Sequence, residues 1–473
     1  MISTRLAPLS TEFLNVQLHD ERLKRRLRLI VDAAEKNPGA SLPKQAGSPA
    51  ALEGTYRFIE NDQVTPEVIL DSHVQCTVAR CQQQPFVFVI HDTTKFRFSG
   101  EKTRDGLGRL NSEKSQGFFG HYSVAVSPTG EPLGTLGLFA WRRSAQSFGG
   151  KKTQIQSQSD PDRESLRWID SALYTGEILH GKSEAIHLMD REGDSWELMT
   201  FLLDANQRFV IRLCHDRRMT PRRCTPNFPN LFESLSNSAF FFERQVALSD
   251  RNNRTSNFPR SYSARAGRLA YLEVRAGNHE VFIGNGVPTH LPPSLRLNFV
   301  EVREINPPDG EEPVIWRLVT TESIDTKEHV AAIVDAYRTR WVIEEFFKAI
   351  KTGCNYQQHQ LESSHSLLIM LAIETAIAWR MLLARWLAHN DPDAPCTNIL
   401  NPTQLQLIEL LAKQSNRKLP NEPTAKHVLY EIAVLGGHIK NNGPPGWLVL
   451  RRGFDELLSI ERGWLLNQSR RNT

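Results

Sequence analysis

Residues 337–351 read Tyr-Arg-Thr-Arg-Trp-Val-Ile-Glu-Glu-Phe-Phe-Lys-Ala-Ile-Lys and form a good helix. At about 100° per residue, Tyr337, Arg340, Glu344, Lys348 and Lys351 fall within an arc of about 80°. Ala336, Ile343, Phe347 and Ile350 point elsewhere and are free to pack. One stripe therefore carries a carboxylate among three cations and a phenol. An ordinary i,i+4 ladder accounts for Glu344 and Lys348. It gives no reason for Tyr337 and Arg340 to share their side of the helix.

Two further carboxylates stand out upstream. Asp92 follows the apolar run Phe86–Ile90, and Asp190 ends the run Ala185–Met189. Both are expected at or just beyond the C-terminal ends of buried strands, where open α/β sheets gather functional groups. A single aspartate there is also a common turn or cap residue; two on separated strands are harder to dismiss. Three carboxylates can hold two divalent ions about 4 Å apart, the arrangement that drives phosphodiester cleavage. Mg²⁺ prefers such hard oxygen ligands, and neighbouring cations would grip DNA phosphates.

Around these residues the chain divides into three segments. Residues 1–70 read as helical. Leu23, Leu27, Ile30, Val31 and Ala34 recur at helical spacing, with Lys24, Arg25, Arg26 and Arg28 crowding the same turns until Asn37-Pro38-Gly39. A second helix is expected from Ser48 to Asn61, with Ser48 as N-cap and Pro49 at its first position. A basic helical unit suits DNA docking, and a solvated basic face fits the same residues. Residues 71–360 alternate strands and helices. A hairpin is expected at Tyr122–Val126 and Leu133–Trp141, a helix near 162–179, and strands at Ala185–Met189, Arg208–Leu213 and Ile315–Thr320, before a long helix over 326–351. Within this segment, residues 214–312 read as a β-rich insertion with scattered arginines (among them Arg217, Arg222, Arg251, Arg254, Arg260 and Arg268). Residues 361–473 read as a helical domain.

Bulk composition narrows the class further. A chain of 473 residues is too long for one core of ordinary size. Its net charge of +4 permits nucleic-acid binding without arguing for it. Six scattered cysteines with no C-x-x-C pair argue against a disulfide scaffold or structural zinc. The N-terminus shows no apolar signal region. The most apolar stretch, Leu367–Ala388, carries Glu374, Arg380 and Arg385 and reads as a packed helix, not a membrane span. A cytoplasmic protein, associated with the nucleoid when on DNA, is expected.

The spacing Tyr337-(2)-Arg340-(3)-Glu344-(6)-Lys351 resembles the Y-R-E-K signature of the insertion-sequence-four family of bacterial DDE transposases. Asp190-Arg191-Glu192-Gly193-Asp194 resembles that family's second carboxylate motif, and Asp92-Thr93-Thr94 its first. Tyr56-Arg57-Phe58, the Glu304-Ile305-Asn306-Pro307-Pro308 turn and Leu435-Gly436-Gly437 extend the likeness along essentially the whole chain. The resemblance implies an RNase H-like, retroviral-integrase-like catalytic domain interrupted by the β-rich insertion. It also implies an N-terminal domain that binds transposon ends and a C-terminal helical domain that supports a homodimer in the synaptic complex. Asp92, Asp190 and Glu344 are then the catalytic metal ligands for two Mg²⁺ ions, with Mn²⁺ substituting. Transposon-end and target DNA are the partners.

On its own Trp316 reads as a core residue of a strand; the resemblance implies that it receives a flipped base during hairpin formation. Arg212 matches a DNA-contacting arginine beside that pocket. With Tyr337, Arg340, Lys348, Lys351, Arg25, Arg26 and Arg28 it completes the expected DNA-binding set. The sequence departs from the family in the insertion, where Asp250–Arg260 holds fewer charges than expected. Three readings follow: an active cut-and-paste transposase, a non-catalytic DNA-binding regulator or inhibitor derived from one, or a metal-dependent nuclease of the same fold acting on Holliday junctions or RNA hybrids, which the flanking helical segments and the Tyr337–Lys351 helix disfavour. The intact carboxylates, the signature lysine and the full first segment favour activity. The segmentation also predicts that residues 1–70 can be removed without unfolding the remainder.

Overall fold

The structure is a computed structural model that describes residues 7–471 apart from 101, 111–114, 143–162, 164, 222–228, 249–264, 285–289, 392 and 440–442. Arg222, Arg251, Arg254 and Arg260, and with them the charge-poor stretch 250–260, lie outside the described residues. The first part is helical: α1 (Glu21–Lys36), α2 (Leu42–Ala46), α3 (Pro49–Ile59) and α4 (Pro66–Cys81). Side-chain caps set three of the starts. Asp20 accepts from the Arg22 amide, Ser48 from Ala51 and Thr65 from Val68, satisfying donors the helix leaves free. Proline opens α3 and α4, where its missing N–H costs nothing.

A mixed sheet follows. Its first strands are β1 (Val87–Phe98), β2 (Gly108–Arg109), β3 (Gln116–Val126) and β4 (Pro132–Trp141). Helix α5 (Leu166–Leu179), strand β5 (Ala185–Met189), helix α6 (Trp196–Asp204) and strand β6 (Arg208–Arg212) come next. The segment read as an insertion contributes α7 (Leu231–Ser236), β7 (Ala239–Leu248), β8 (Arg268–Phe282) and β9 (Ser294–Ile305), and β10 (Ile315–Thr320) closes the series. Across the sheet the order is β2-β3-β1-β5-β6-β10-β9-β8-β7, with β4 also paired to β3. Strands β1, β5 and β6 run parallel; the other pairs are antiparallel. The β-rich segment thus continues the sheet, because β10 pairs β6 on one side and β9 on the other.

Strand β1 differs from the expectation that it stops near Ile90 with Asp92 at its end. It runs on to Phe98, paired with β3 as far as Phe98 opposite Gln116. The extension has a strand's period of two: Phe96 and Phe98 are buried while Lys95 and Arg97 are exposed. What does stop near Ile90 is the parallel pairing with β5, whose last pair is Ile90 with Leu188.

Helices cover the sheet. Helix α8 (Lys327–Thr339), α9 (Trp341–Lys348) and a π-helical turn (Ala349–Gly353) replace the single expected helix. Helix α10 (Ser364–Asn390) lies across the sheet; the Trp379 indole N–H donates to Pro132 O at 2.8 Å, and the Tyr122 hydroxyl meets Thr375 at 3.2 Å. It is long and apolar enough to cross a membrane, but 83% of that stretch is buried inside the protein. A smaller cluster built on α11 (Pro402–Gln414), α12 (Ala425–Leu435) and α13 (Trp447–Arg471) follows.

On the sheet's other face lies a buried polar chain. His187 Nε2 lies 3.2 Å from Gln207 Oε1, and His91 Nε2 lies 2.8 Å from His187 Nδ1. The amide oxygen can only accept, so His187 carries its proton on Nε2 and accepts from His91 through Nδ1. Burial holds both rings neutral.

The first segment is not a detachable unit. Leu9, Phe13, Leu27, Phe58 and Ile59 belong to the same buried cluster as Val74, Leu133 and Leu371. Polar contacts reinforce the joint. Ser366 donates to Ile59 O at 3.1 Å, and Arg380 to Ala7 O at 2.5 Å. Buried Glu12 accepts from Arg80 and from His73 Nδ1, each at 2.7 Å. His73 Nε2 accepts from the Thr135 amide, so the ring is neutral with both nitrogens engaged. Burial pushes the Glu12 carboxyl upward, but His73 and Arg80 outweigh it and hold its pKa at about 2. Helical periodicity registered the apolar face of α1 but not that it joins a cluster shared with α10, more than 300 positions downstream. Removal of residues 1–70 is therefore expected to leave an aggregating fragment that binds hydrophobic dye. In the intact chain, Phe58→Ala should cost about 3–5 kcal/mol. Soluble yield and thermal melts decide; a monodisperse, cooperatively melting 71–473 fragment would count against this packing.

Candidate active site

The site grows from the register of two parallel strands. Continuing the pairing of Ile90 with Leu188 by two residues brings Asp92 level with Asp190. Adjacent strands lie about 4.8 Å apart, so the two carboxylates are neighbours on one face. Backbone amides fix each of them: Thr93 N–H donates to Asp92 Oδ1 at 2.7 Å, and Glu192 N–H to Asp190 Oδ1 at 2.8 Å. The third carboxylate arrives on α9. Ile343, Phe346 and Phe347 bury that helix's apolar side, and both phenylalanines pack edge-on against Tyr122 of β3, which pairs directly with Asp92. That contact sets α9 over the middle of β1 and brings Glu344 to the aspartates.

Arg340 stands among them. Its Nη1 donates to Asp92 Oδ2 at 2.9 Å, and its Nη2 lies 3.6 Å from Glu344 Oε1. Even so, Asp92 is pushed up to a pKa of about 7, first by burial, then by the charges of Asp190 and Glu344. Arg340 opposes this without cancelling it. Lys351 donates to Thr94 Oγ1 at 2.5 Å, and burial lowers its ammonium to about 8 against the pull of Glu344 and Asp92. Carboxylates that repel one another in a buried place call for a cation, and their oxygens are the donors Mg²⁺ and Mn²⁺ prefer. The residues fit a divalent-ion centre.

Trp316 and Tyr337 line one flank, ring centroids 5.8 Å apart and inclined at 65°. Arg212 lies beside Tyr337 and donates to Ile315 O at 3.2 Å. Trp316 is only partly buried and is not lost in the core. Lys348 departs from the expected stripe. Its ammonium bonds Glu345 Oε1 at 2.7 Å and lies over the Trp341 ring, so its nearest acid captures it instead of the aspartates. Arg25 and Arg28 are exposed on α1. Arg26 instead lies against Gly54 of α3, where a Cβ would come within 2.4 Å of its guanidinium carbon.

Composition and spacing did not reveal what holds Asp190 from behind. Asp194 is buried and accepts from the amides of Cys214 (2.6 Å) and His215 (2.9 Å) and from Arg217. This ties the turn after Asp190 to the end of β6. The Asp194, Cys214 and His215 ligand atoms lie within 4.8 Å of one another, but the amides and Arg217 already engage the carboxylate. Burial, foremost, and Asp194 raise the Cys214 thiol to about 11. The group is a staple. Asp194 closes the motif that begins at Asp190, which was the available signal.

Fold and site together describe a mixed α/β protein with an acidic centre ringed by cations. Residues 8–64 match the transposase DNA-binding family and residues 177–380 the transposase DDE domain family. These two domains support a DNA transposase, with DNA as its partner. The DDE domain implies an RNase H-like fold, with which the mixed sheet and its helices agree, and a metal-dependent enzyme that cleaves and transfers DNA. The DDE match spans Asp190 and Glu344 and begins after Asp92.

An Asp92 carboxyl moved from 3.8 to about 7 disfavours its ionised form by about 4 kcal/mol. Because the folded value lies above the unfolded one, that penalty is absent below about pH 4 and grows as pH rises toward 7. In metal-free protein, Asp92→Asn should raise the melting temperature at pH 8 and change it little near pH 4. Mn²⁺ should then stabilise the wild type more than the variant. Equal melting curves at pH 8 would show that Asp92 is not under this load.

Proposed function

We propose that the protein is a cut-and-paste DNA transposase of the insertion-sequence-four kind, with Asp92, Asp190 and Glu344 holding two Mg²⁺ ions. The observation that carries this is the convergence of half-buried Asp190 and Glu344 on buried Asp92, with Arg340 donating to Asp92 at 2.9 Å and lying 3.6 Å from Glu344. Bound there, divalent ions would activate an attacking oxygen and stabilise a leaving one. Lys351 and Arg340 face the same point and are placed to take phosphate oxygens of the DNA strand. Arg340 now balances Asp92, and a metal would free its guanidinium for that role. Exposed Arg25 and Arg28 on α1 offer backbone contacts to a transposon end, and Arg26 lies between α1 and α3.

The reaction sequence follows from one centre serving successive nucleophiles. Water nicks one strand and leaves a 3′-hydroxyl. That hydroxyl attacks the opposite strand, forming a hairpin; a second water reopens it, and the same 3′-hydroxyl attacks target DNA. Each step exchanges one phosphodiester oxygen for another. A tight hairpin forces a base from the stack at a cost of a few kcal/mol. Trp316, partly exposed and braced by Tyr337, offers the face that would receive it. The C-terminal helices are assigned to a homodimer in the synaptic complex.

Asp92→Ala, Asp190→Ala and Glu344→Ala should each abolish Mg²⁺-dependent nicking while gel shifts with end DNA stay near wild type. Nicking at near wild-type rate in any one of them removes that residue from the centre. Trp316→Ala should leave first-strand nicking nearly normal and slow hairpin formation, read on denaturing gels that separate nicked, hairpin and fully cleaved DNA. Equal loss of both steps would make Trp316 a packing residue.

A further inference from the structure

Glu345 follows Glu344 in sequence but points elsewhere, and three elements converge on it. Lys348 of its own helix donates to Oε1 at 2.7 Å. Arg385 of α10 donates to Oε2 at 2.6 Å, and the indole N–H of Trp447, first residue of α13, donates to the same oxygen at 3.0 Å. The Arg385 guanidinium lies over the Trp447 ring at 5.1 Å. Burial raises the Glu345 carboxyl, but these donors outweigh it and hold it below the usual range, so it is an anion with its oxygens engaged.

Helix α9 needs such an anchor. It is eight residues long and irregular at both ends. Arg340 interrupts the regular helix before it, and after it Cys354 N–H reaches back five residues to Ala349 O at 2.7 Å, in the π-helical turn. At these junctions the regular helical bonding gives way to three-residue and five-residue bonds (Ile343 N–H to Arg340 O, Cys354 N–H to Ala349 O), so the roll of α9 about its axis depends also on its side-chain contacts. With side chains a helix has a radius of about 5–6 Å, so a roll of about 10° moves the Glu344 carboxylate by about 1 Å. A displacement of that size costs a reaction centre about a hundredfold.

We propose that Glu345 is a positioning residue: by tying α9 to α10 and to the C-terminal helix α13, it fixes the roll of α9 and with it the Glu344 carboxylate. The C-terminal helix thereby completes the geometry of a site to which it contributes no ligand. This rests on the reading of Glu344 as a metal ligand.

The test measures Mn²⁺ binding to the full-length chain by electron paramagnetic resonance, alongside nicking of end DNA and thermal melts. Wild type and Asp92→Asn come first; wild-type binding that is insensitive to Asp92→Asn overturns both the metal-centre reading and this proposal. With that binding established, Glu345→Ala should weaken Mn²⁺ affinity and slow nicking by about 10–100-fold, with end binding retained. Glu345→Gln keeps an acceptor for Arg385 and Trp447 and should recover most of the loss. Trp447→Phe keeps the ring, removes the N–H, and should lose about threefold to tenfold in the same two readouts. Mn²⁺ affinity and nicking within about twofold of wild type in Glu345→Ala would overturn the proposal. If Glu345→Ala does not fold, Trp447→Phe decides by the same criterion, its melting curve confirming that it is folded.

Discussion

Asp92 is buried beside two other carboxylates, and the rest of the structure serves to keep it there. Burial and the charges of Asp190 and Glu344 work against an ionised Asp92. Arg340 relieves part of that load through its contact with Asp92 and its approach to Glu344. The remainder shows in the raised Asp92 carboxyl. Such a site is held by its surroundings, and the surroundings account for much of the architecture: parallel strands that set two aspartates level, amides that fix their oxygens, and a short helix pressed down by Phe346 and Phe347.

Those supports reach across the whole chain. The Asp194 staple fastens the turn after Asp190 to the end of β6, and Glu345 fastens α9 to α10 and α13. Helix α10 is the common member: it packs on the sheet, on the first helical segment and, through Arg385, on α9. The matched DNA-binding region and the acidic centre therefore share one hydrophobic cluster and are joined by the Glu12–His73–Arg80 group. A rigid joint of this kind suits a protein that must hold a recognised sequence and a scissile bond in fixed relation.

Much of this was legible in residue order. The apolar runs located β5 and β6 to within a residue, the turn at 127–130 gave the β3–β4 hairpin, and Ser48 marks the start of α3 in the manner its chemistry requires. What escaped reading depends on partners far away in sequence. The end of β1 was hidden because Thr93–Phe98 alternates polar and apolar residues instead of continuing the apolar run. An unbroken wheel of 100° per residue placed Lys348 beside Glu344, yet the adjacent Glu345 captured it, and nothing local marks Arg385 or Trp447 as that acid's partners. The dependence of the core on residues 9–59 was invisible for the same reason.

The most direct test of the acidic centre is crystallographic. Crystals of the full-length protein with an end duplex, soaked in Mn²⁺, would be measured for manganese anomalous scattering. Density is expected among Asp92, Asp190 and Glu344, with the Arg340 guanidinium withdrawn from Asp92. Density confined to the Asp194–Cys214–His215 group, with the Arg340–Asp92 pair intact in a DNA-bound complex, would contradict it.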